Sequence, residues 1–406
     1  APINSLPVPL QEQLKSTNMQ YYQVGKYLYL FGGYGYSATL GDHTTFPNLA
    51  AIDVPATIDA IIGNTSFSAY FRQMSDPQFQ VTGGSLEKIN NTFYLVGGQK
   101  FIGRYNPMGP DHGPGFEQVY TEQIRTFNLT DDGTTIIIQH FPSITDSLNL
   151  HRRDYNVTAQ IMPNDQEGIT AFSGVFQQSI NLPFLNCVNI DSTGYEVNNS
   201  FAQYYNHYDC PNFPIYSASS KEMNTVFFGG IAQYYVSEGI LTQNNDVPFV
   251  KTIARVSRNA NGKMAEYKLP IEMPSFLGAG SEIIPNENLP RYANGVIKYD
   301  ELPNDTTLVG YIYGGISSTD ENIFWINNGT QSMATSQVFK VNLVKNDRLA
   351  AHELNEQSIG SLQVRTYPDT EDGSLLVKYN ISKTTTVRIS LRSMVGQKIA
   401  DEVLKN

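Results

Sequence analysis

Short apolar and aromatic runs closed by paired glycines recur along the chain. Residues 27–31 end at Gly32-Gly33, 92–96 at Gly97-Gly98, 224–228 at Gly229-Gly230 and 309–313 at Gly314-Gly315. A degenerate copy, residues 169–175, carries Gly174 followed by Val175. Each run reads as a buried strand whose end needs positive φ or close backbone approach. Copies at wide intervals predict a repeat architecture.

The surroundings repeat as well. A strand precedes each glycine pair across a short polar turn, at 90–91, 163–167, 219–223 and 300–305. A third strand follows with an apolar, small polar, apolar signature at 52–54, 127–129, 188–190 and 341–343, more weakly at 256–258. Tight turns at 130–133, 191–194 and 259–262 lead to a fourth. Four antiparallel strands per repeat predict an all-β fold, a β-propeller. The repeats are spaced by about 55 to 85 residues, longer than the roughly 50 of a plain kelch repeat, so loops carry insertions.

The glycine pairs resemble those of the kelch family over residues 15 to 345. That resemblance implies a kelch-like β-propeller at 16–345, with five blades visible. Residues 1–15 resemble the connectors at 141–149 and 269–274, so they are read as the end of a missing blade, which makes six in the full-length protein; the alternative is a five-bladed ring with an N-terminal arm. A polar linker follows at 346–361, and the pattern then changes. Residues 362–406 alternate as strands of a partial β-sandwich with a turn at 371–374. Tyr367-Pro368 and the stretches 376–379, 387–390 and 395–398 resemble the C-terminal sorting domain of the Bacteroidota type IX secretion system. Asp369-Thr370 stands where that family has Asn-Pro, and the closing strands are absent. The resemblance implies handling by the type IX machinery and an extracellular or outer-membrane-surface location. In that setting Ser147, Ser192 and Thr306 follow an Asp in the short pattern that Bacteroidota O-glycosylate.

Composition narrows the function. A formal charge of −11 and no Lys/Arg cluster argue against nucleic acid. No apolar run reaches membrane-spanning length. Cys187 opens a third strand and Cys210 lies in the next connector, on the same face, so they are a candidate disulfide. Closing that loop contributes about 3 kcal/mol in an oxidising setting.

Strand order also fixes the faces. Links from second to third strand emerge on the same side as links between repeats. The long segments 34–49, 99–120, 231–248 and 316–336 all fall there, so that face is the expected site. His151, Arg152, Arg153, Asp154 and Tyr155, with Arg291 and Tyr292, are expected to ring the central mouth. Arginines there suit a carboxylate or sulfate, and tyrosines stack on sugars; the alternative is an Arg–Asp brace between repeats. Tyr204, Tyr205 and His207 read either as site residues or as packing between repeats. Trp325 reads as a stacking platform or a plug. Asp42-His43 and Asp111-His112 lack further ligands and read as turn chemistry, so neither metal nor cofactor is expected.

These residues predict a non-catalytic propeller binding glycan or a surface protein. Kelch-type enzymes are the alternative: a sialic-acid mutarotase using His151 or Asp154 as acid or base, or a copper oxidase built on Cys210, Tyr205 and His207. A structural adhesin is the third reading.

Overall fold

The computed structural model describes residues 2–105, 115–237, 239–303, 306–323 and 329–345, together with strands at 362–368, 375–381, 386–392 and 398–405. Two compact units result: Ala1–Pro303 with Thr307–Leu343, and Asn304–Thr306 with Val344–Asn406. Both are all-β apart from short helices in the first.

Small antiparallel sheets repeat along the first unit. Sheet I holds Gln20–Val24, Tyr27–Phe31, Asn48–Asp53 and Phe71–Ser75 in that order. Sheet II holds Ser85–Ile89, Thr92–Val96, Gln123–Asp131 and Ile136–His140. Sheet III holds Asn156–Ile161, Glu167–Phe172, Cys187–Asp191 and Gly194–Asn198. Sheet IV holds Asn212–Ser217, Glu222–Phe228, Thr252–Arg258 and Met264–Glu272. Sheet V holds Glu282–Pro285, Thr306–Tyr313 and Val338–Val344.

Neighbouring sheets share their cores. Tyr29, Phe31 and Leu49 of sheet I bury against Leu95 and Phe127 of sheet II, with Phe79 between them. Ile124 of sheet II meets Ile169 and Val188 of sheet III, and Phe172 of sheet III meets Phe227 of sheet IV. Phe228 and Ile253 of sheet IV bury against Val309 and Ile312 of sheet V. Aromatic rings supply the volume that short strands lack: Phe93 and Phe127 stack with centroids 5.3 Å apart.

The glycine pairs adopt the conformation expected of them. Gly32 and Gly33, Gly97 and Gly98, Gly229 and Gly230, and Gly314 and Gly315 all have positive φ. The degenerate repeat shifts by one residue: after Phe172 the pair is Ser173 (φ 45°) and Gly174 (φ 90°), not Gly174-Val175. Three of the pairs act as joints. The Gly33 amide donates to Val81 at 2.9 Å, Gly174 to His207 at 3.0 Å and Gly230 to Leu277 at 2.9 Å, each acceptor lying in the connector to the next sheet.

Several expectations are corrected. The first strand of sheet V is Glu282–Pro285, paired Glu282↔Tyr313 to Pro285↔Gly310. The segment expected there folds away: Ile297–Lys298 pairs in parallel with Ile215 and Tyr216 of sheet IV. The opening connector contains a helix, α1 (Val8–Leu14), whose Leu10 buries with Ala50 and Phe67. The link after Asn48–Asp53 is a second helix, α2 (Val54–Ile62), which takes Val54 out of the strand expected at 52–54. Asp53 caps it by accepting the Ala56 amide, and proline occupies its first turn. The long segments of the elaborated face are hairpins rather than loops. Tyr34–Ser37 and Asp42–Thr45 join Gln99–Gly103 and Phe116–Tyr120 in one sheet, while Tyr234–Ser237 with Ile240–Gln243, and Ile316–Ser318 with Ser332–Ala334, form two more pairs.

The second unit has two antiparallel pairs, Leu362–Pro368 with Leu375–Ile381 and Thr386–Arg392 with Lys398–Lys405. The turn expected at 371–374 lies outside the described residues.

Candidate functional site

The first strands of all five sheets line one cavity of about 550 Å³. Its walls carry Tyr21 and Tyr22 from sheet I, Glu87 from sheet II, and Asn156 and Thr158 from sheet III. Asn212 of sheet IV and Glu282 of sheet V complete them, with Asp154 and Asp209 just before their first strands. Backbone links set the spacing at the end where connectors arrive. The Gly83 amide donates to the Asn18 carbonyl at 3.1 Å, Asp209 to Asp154 at 2.7 Å and Gly280 to Asp209 at 2.8 Å. Connectors are thus tied to their neighbours, and Asp154 holds its place at φ 51°.

The cavity is acidic. Glu87, Asp154, Asp209 and Glu282 line it, and Arg291 is the one cation among the described lining residues. Removal from bulk water pushes Glu87 up to about 8. Asp209 is open to the cavity yet surrounded by protein beyond it. It rises to about 7, first by desolvation and then through the charges of Glu282 and Asp154. Desolvation also raises Glu282, partly offset by a hydrogen bond from Tyr21. The Tyr21 phenol likewise opens on the cavity; desolvation first, then the charges of Glu282 and Glu87, pushes it up to about 12. Tyr21 therefore places a ring and a proton donor among carboxylates.

The residues expected at the mouth divide. Asp154 and Tyr155 line the cavity. Arg152 does not: it is 1% exposed, with donors to the carbonyls of Asn149, Ser173 and Asn186 and to the Asn186 side chain. Its guanidinium lies over Phe184, so it braces the connector. Arg153 pairs with Asp154 at 3.0 Å and lies over the Tyr105 and Phe176 rings. The expected arginine-lined mouth is thus a carboxylate-lined one, because both arginines are engaged by the protein itself. His151 bonds Glu122 at 2.7 Å and stacks on Tyr120 at 3.9 Å, away from the cavity lining. Tyr155 is buried and donates to the Val96 carbonyl at 2.5 Å.

Tyr205 is half-buried, and its amide helps hold Glu266, whose carboxyl burial pushes up to about 8. Tyr204 packs edge-on against Tyr234, and its amide also donates to Glu266. His207 is fully buried. Its Nδ1 accepts from the Gln233 amide at 3.0 Å and its Nε2 donates to the Gln203 carbonyl at 2.7 Å. Both nitrogens are used, and burial lowers the ring to about 4. Arg291 and Tyr292 sit in the link between first and second strands of sheet V, at the end opposite the connectors. There Arg291 bonds the Asn286 carbonyl at 2.5 Å and Tyr292 packs on Tyr216. Trp325, Asp111 and His112 lie outside the described residues.

Cys187 and Cys210 are both free and buried, in a cluster with Phe172, Phe201 and Phe227, so the expected disulfide is corrected. Ser147, Ser192 and Thr306 are exposed. The aspartates before the first two already serve their turns: Asp146 accepts the Leu148 and Asn149 amides, and Asp191 the Thr193 amide.

Sequence reasoning misses Tyr21, Glu87 and Glu282 as site residues. Their signal is a single acid or exposed aromatic in a short, otherwise strand-forming segment that opens a repeat. Asp209 stands in a connector whose aromatic residues and histidine are more conspicuous.

No protein-family model and no curated protein matches the chain. Among solved structures, one described as "Structure of YjhT" is similar at 11% identity, with a TM-score of 0.43 over 89% of this chain and 84% of that one.

Proposed function

We propose that the five sheets are the blades of a kelch-like β-propeller, and that the chain is a binding protein whose ligand occupies the cavity between their first strands. The observation that carries this reading is convergence: every sheet contributes its first strand to one cavity of about 550 Å³, within the usual size of a small-ligand site of roughly 300 to 1,000 Å³. Backbone links between connectors make the site rigid, so little ordering entropy is lost when it fills. Carboxylates, amides and phenols suit hydrogen bonding to a polyhydroxyl glycan or a peptide.

A non-catalytic role is supported by how the acid–base candidates are held. His151 is locked against Glu122 and Tyr120, and Asp154 is paired with Arg153 at 3.0 Å. A copper oxidase reading is disfavoured for the same reason, since Cys210 and His207 are enclosed in the protein. A cell-surface or secreted location through type IX export rests on the resemblance of residues 362–406. The exposure of Ser147, Ser192 and Thr306 leaves them open to modification.

Array binding to neutral, acidic and amino-substituted glycans tests the site, with Tyr21→Ala and Asp209→Asn beside the unmodified chain. Saturable binding lost in both variants supports the cavity. Binding untouched by either moves the site to the outer hairpins and overturns this reading.

A further inference from the structure

The chemistry of the cavity wall also points to the class of ligand, an inference that rests on the binding reading above. We propose that the cavity takes a small organic cation bearing two or more amino or guanidinium groups. Glu87, Asp154, Asp209 and Glu282 come from four different repeats and line one volume. Arg291, at the far end, already bonds the Asn286 carbonyl, and Arg153 neutralises Asp154 alone. The other three acids lack a cationic partner: none of Glu87, Asp209 and Glu282 takes part in a salt bridge among the described residues.

A second observation points the same way. Gln20 lines the cavity and is only 3% exposed, and its Oε1 has no hydrogen-bond donor, while its amide nitrogen is committed to the Asn18 carbonyl. A buried acceptor without a donor is costly until a donor arrives. An ammonium or guanidinium supplies donors to it and charge to the carboxylates together.

The geometry also selects against a single metal ion. Among the described residues no three His, Cys, Asp or Glu side chains converge as a metal site. The acids are spread around the wall, which fits separated positive groups on one molecule. Tyr21, exposed in the wall and hydrogen-bonded to Glu282, offers a ring beside them, favourable to an alkylammonium. An anionic ligand could sit among these acids only with them protonated, and would bring them no positive charge.

Titration calorimetry with spermidine tests this, using the full chain and its Glu87→Gln, Asp209→Asn and Glu282→Gln variants. Maltotriose serves as the neutral probe and N-acetylneuraminic acid as the acidic one. The expected result is saturable spermidine binding, weakened at least tenfold by Asp209→Asn and by Glu87→Gln, and weakened again by raised salt. Circular dichroism confirms that the variants fold; Glu282→Gln carries the test if either of the others does not. Spermidine binding that ignores all three changes, or no spermidine binding at all, overturns the cation assignment. If maltotriose or N-acetylneuraminic acid then binds and the variants weaken it, the cavity reading survives without the cation. If none of the probes binds, both fall.

Discussion

The Gly33 amide donates to the Val81 carbonyl at 2.9 Å, across the joint between sheet I and sheet II. A β-carbon on the preceding Gly32 would stand 2.0 Å from that same oxygen, on a residue with φ 63°. The equivalent joint between sheets IV and V puts a β-carbon of Gly229 at 2.1 Å from the Leu277 carbonyl oxygen. The glycine pair therefore does more than end a strand. It lets the backbone of the next connector approach, and those connectors lead into the strands that line the cavity.

Gly32→Ala and Gly229→Ala should each destabilise the chain by about 3 kcal/mol, combining left-handed strain with backbone collision. Gly314 has φ 75°, but a β-carbon there would meet nothing within 4 Å. Gly314→Ala should cost only about 1 kcal/mol. Urea denaturation of the three variants checks the order. Equal losses would mean that close approach contributes nothing.

Arg72 and Asp131 tie the outer parts of sheets I and II. The guanidinium donates twice to the carboxylate, and the Tyr29 hydroxyl donates to it at 2.9 Å. Burial acts to raise the Asp131 carboxyl, but these bonds and the Gly133 amide hold it below the ordinary range. Its contribution is present above the unfolded value and is lost as pH falls through the folded one. Arg72→Ala leaves a buried carboxylate without its cation and should cost about 3 kcal/mol at neutral pH. The loss should shrink in acid, where Asp131 is protonated. A loss of the same size at every pH would contradict the ion-pair account.

His207 should stay neutral far below the usual histidine range, since burial lowers it to about 4. The unfolded chain takes up this proton near 6.5, so the stability contribution is lost as pH falls from 6.5 through about 4. Nitrogen-15 NMR should find Nδ1 unprotonated and Nε2 protonated at a pH of about 5.5, between those two values. An imidazolium at that pH would sink the assignment.

Cys187 is pushed up to about 11 by burial, and Cys210 further still. Neither thiol should react with Ellman's reagent in the native chain, and both should react in denaturant. Rapid native reaction, or no reactive thiol on denaturation without reductant, would contradict two buried free cysteines.

Much of the fold is legible in sequence because strand runs and glycine pairs carry local constraints. All five third strands fall where the apolar, small polar, apolar signature puts them, Val341-Asn342-Leu343 included, with Val54 alone passing into α2. Where a long insertion intervenes, local signal misleads. Val296-Ile297-Lys298 looks like a first strand, yet Ile297 and Lys298 pair with sheet IV, a choice made by tertiary contact. Helix α2 is readable in principle from Asp53 and Pro55, but the strand signature at 52–54 runs into its first residue. The site is less legible than the fold. Arginine and aspartate in 151–155 are conspicuous in sequence, but which of them face a cavity depends on burial. Glu87 looks ordinary until the first strands of the other sheets are set around it.

The most direct measurement is a crystal structure of the chain soaked with spermidine, with a parallel maltotriose soak. Ordered density is expected among the first strands, within hydrogen-bonding reach of Asp209 and beside the Tyr21 ring. Density confined to the outer hairpins, or none in the cavity from either soak, would contradict a ligand site between the five sheets.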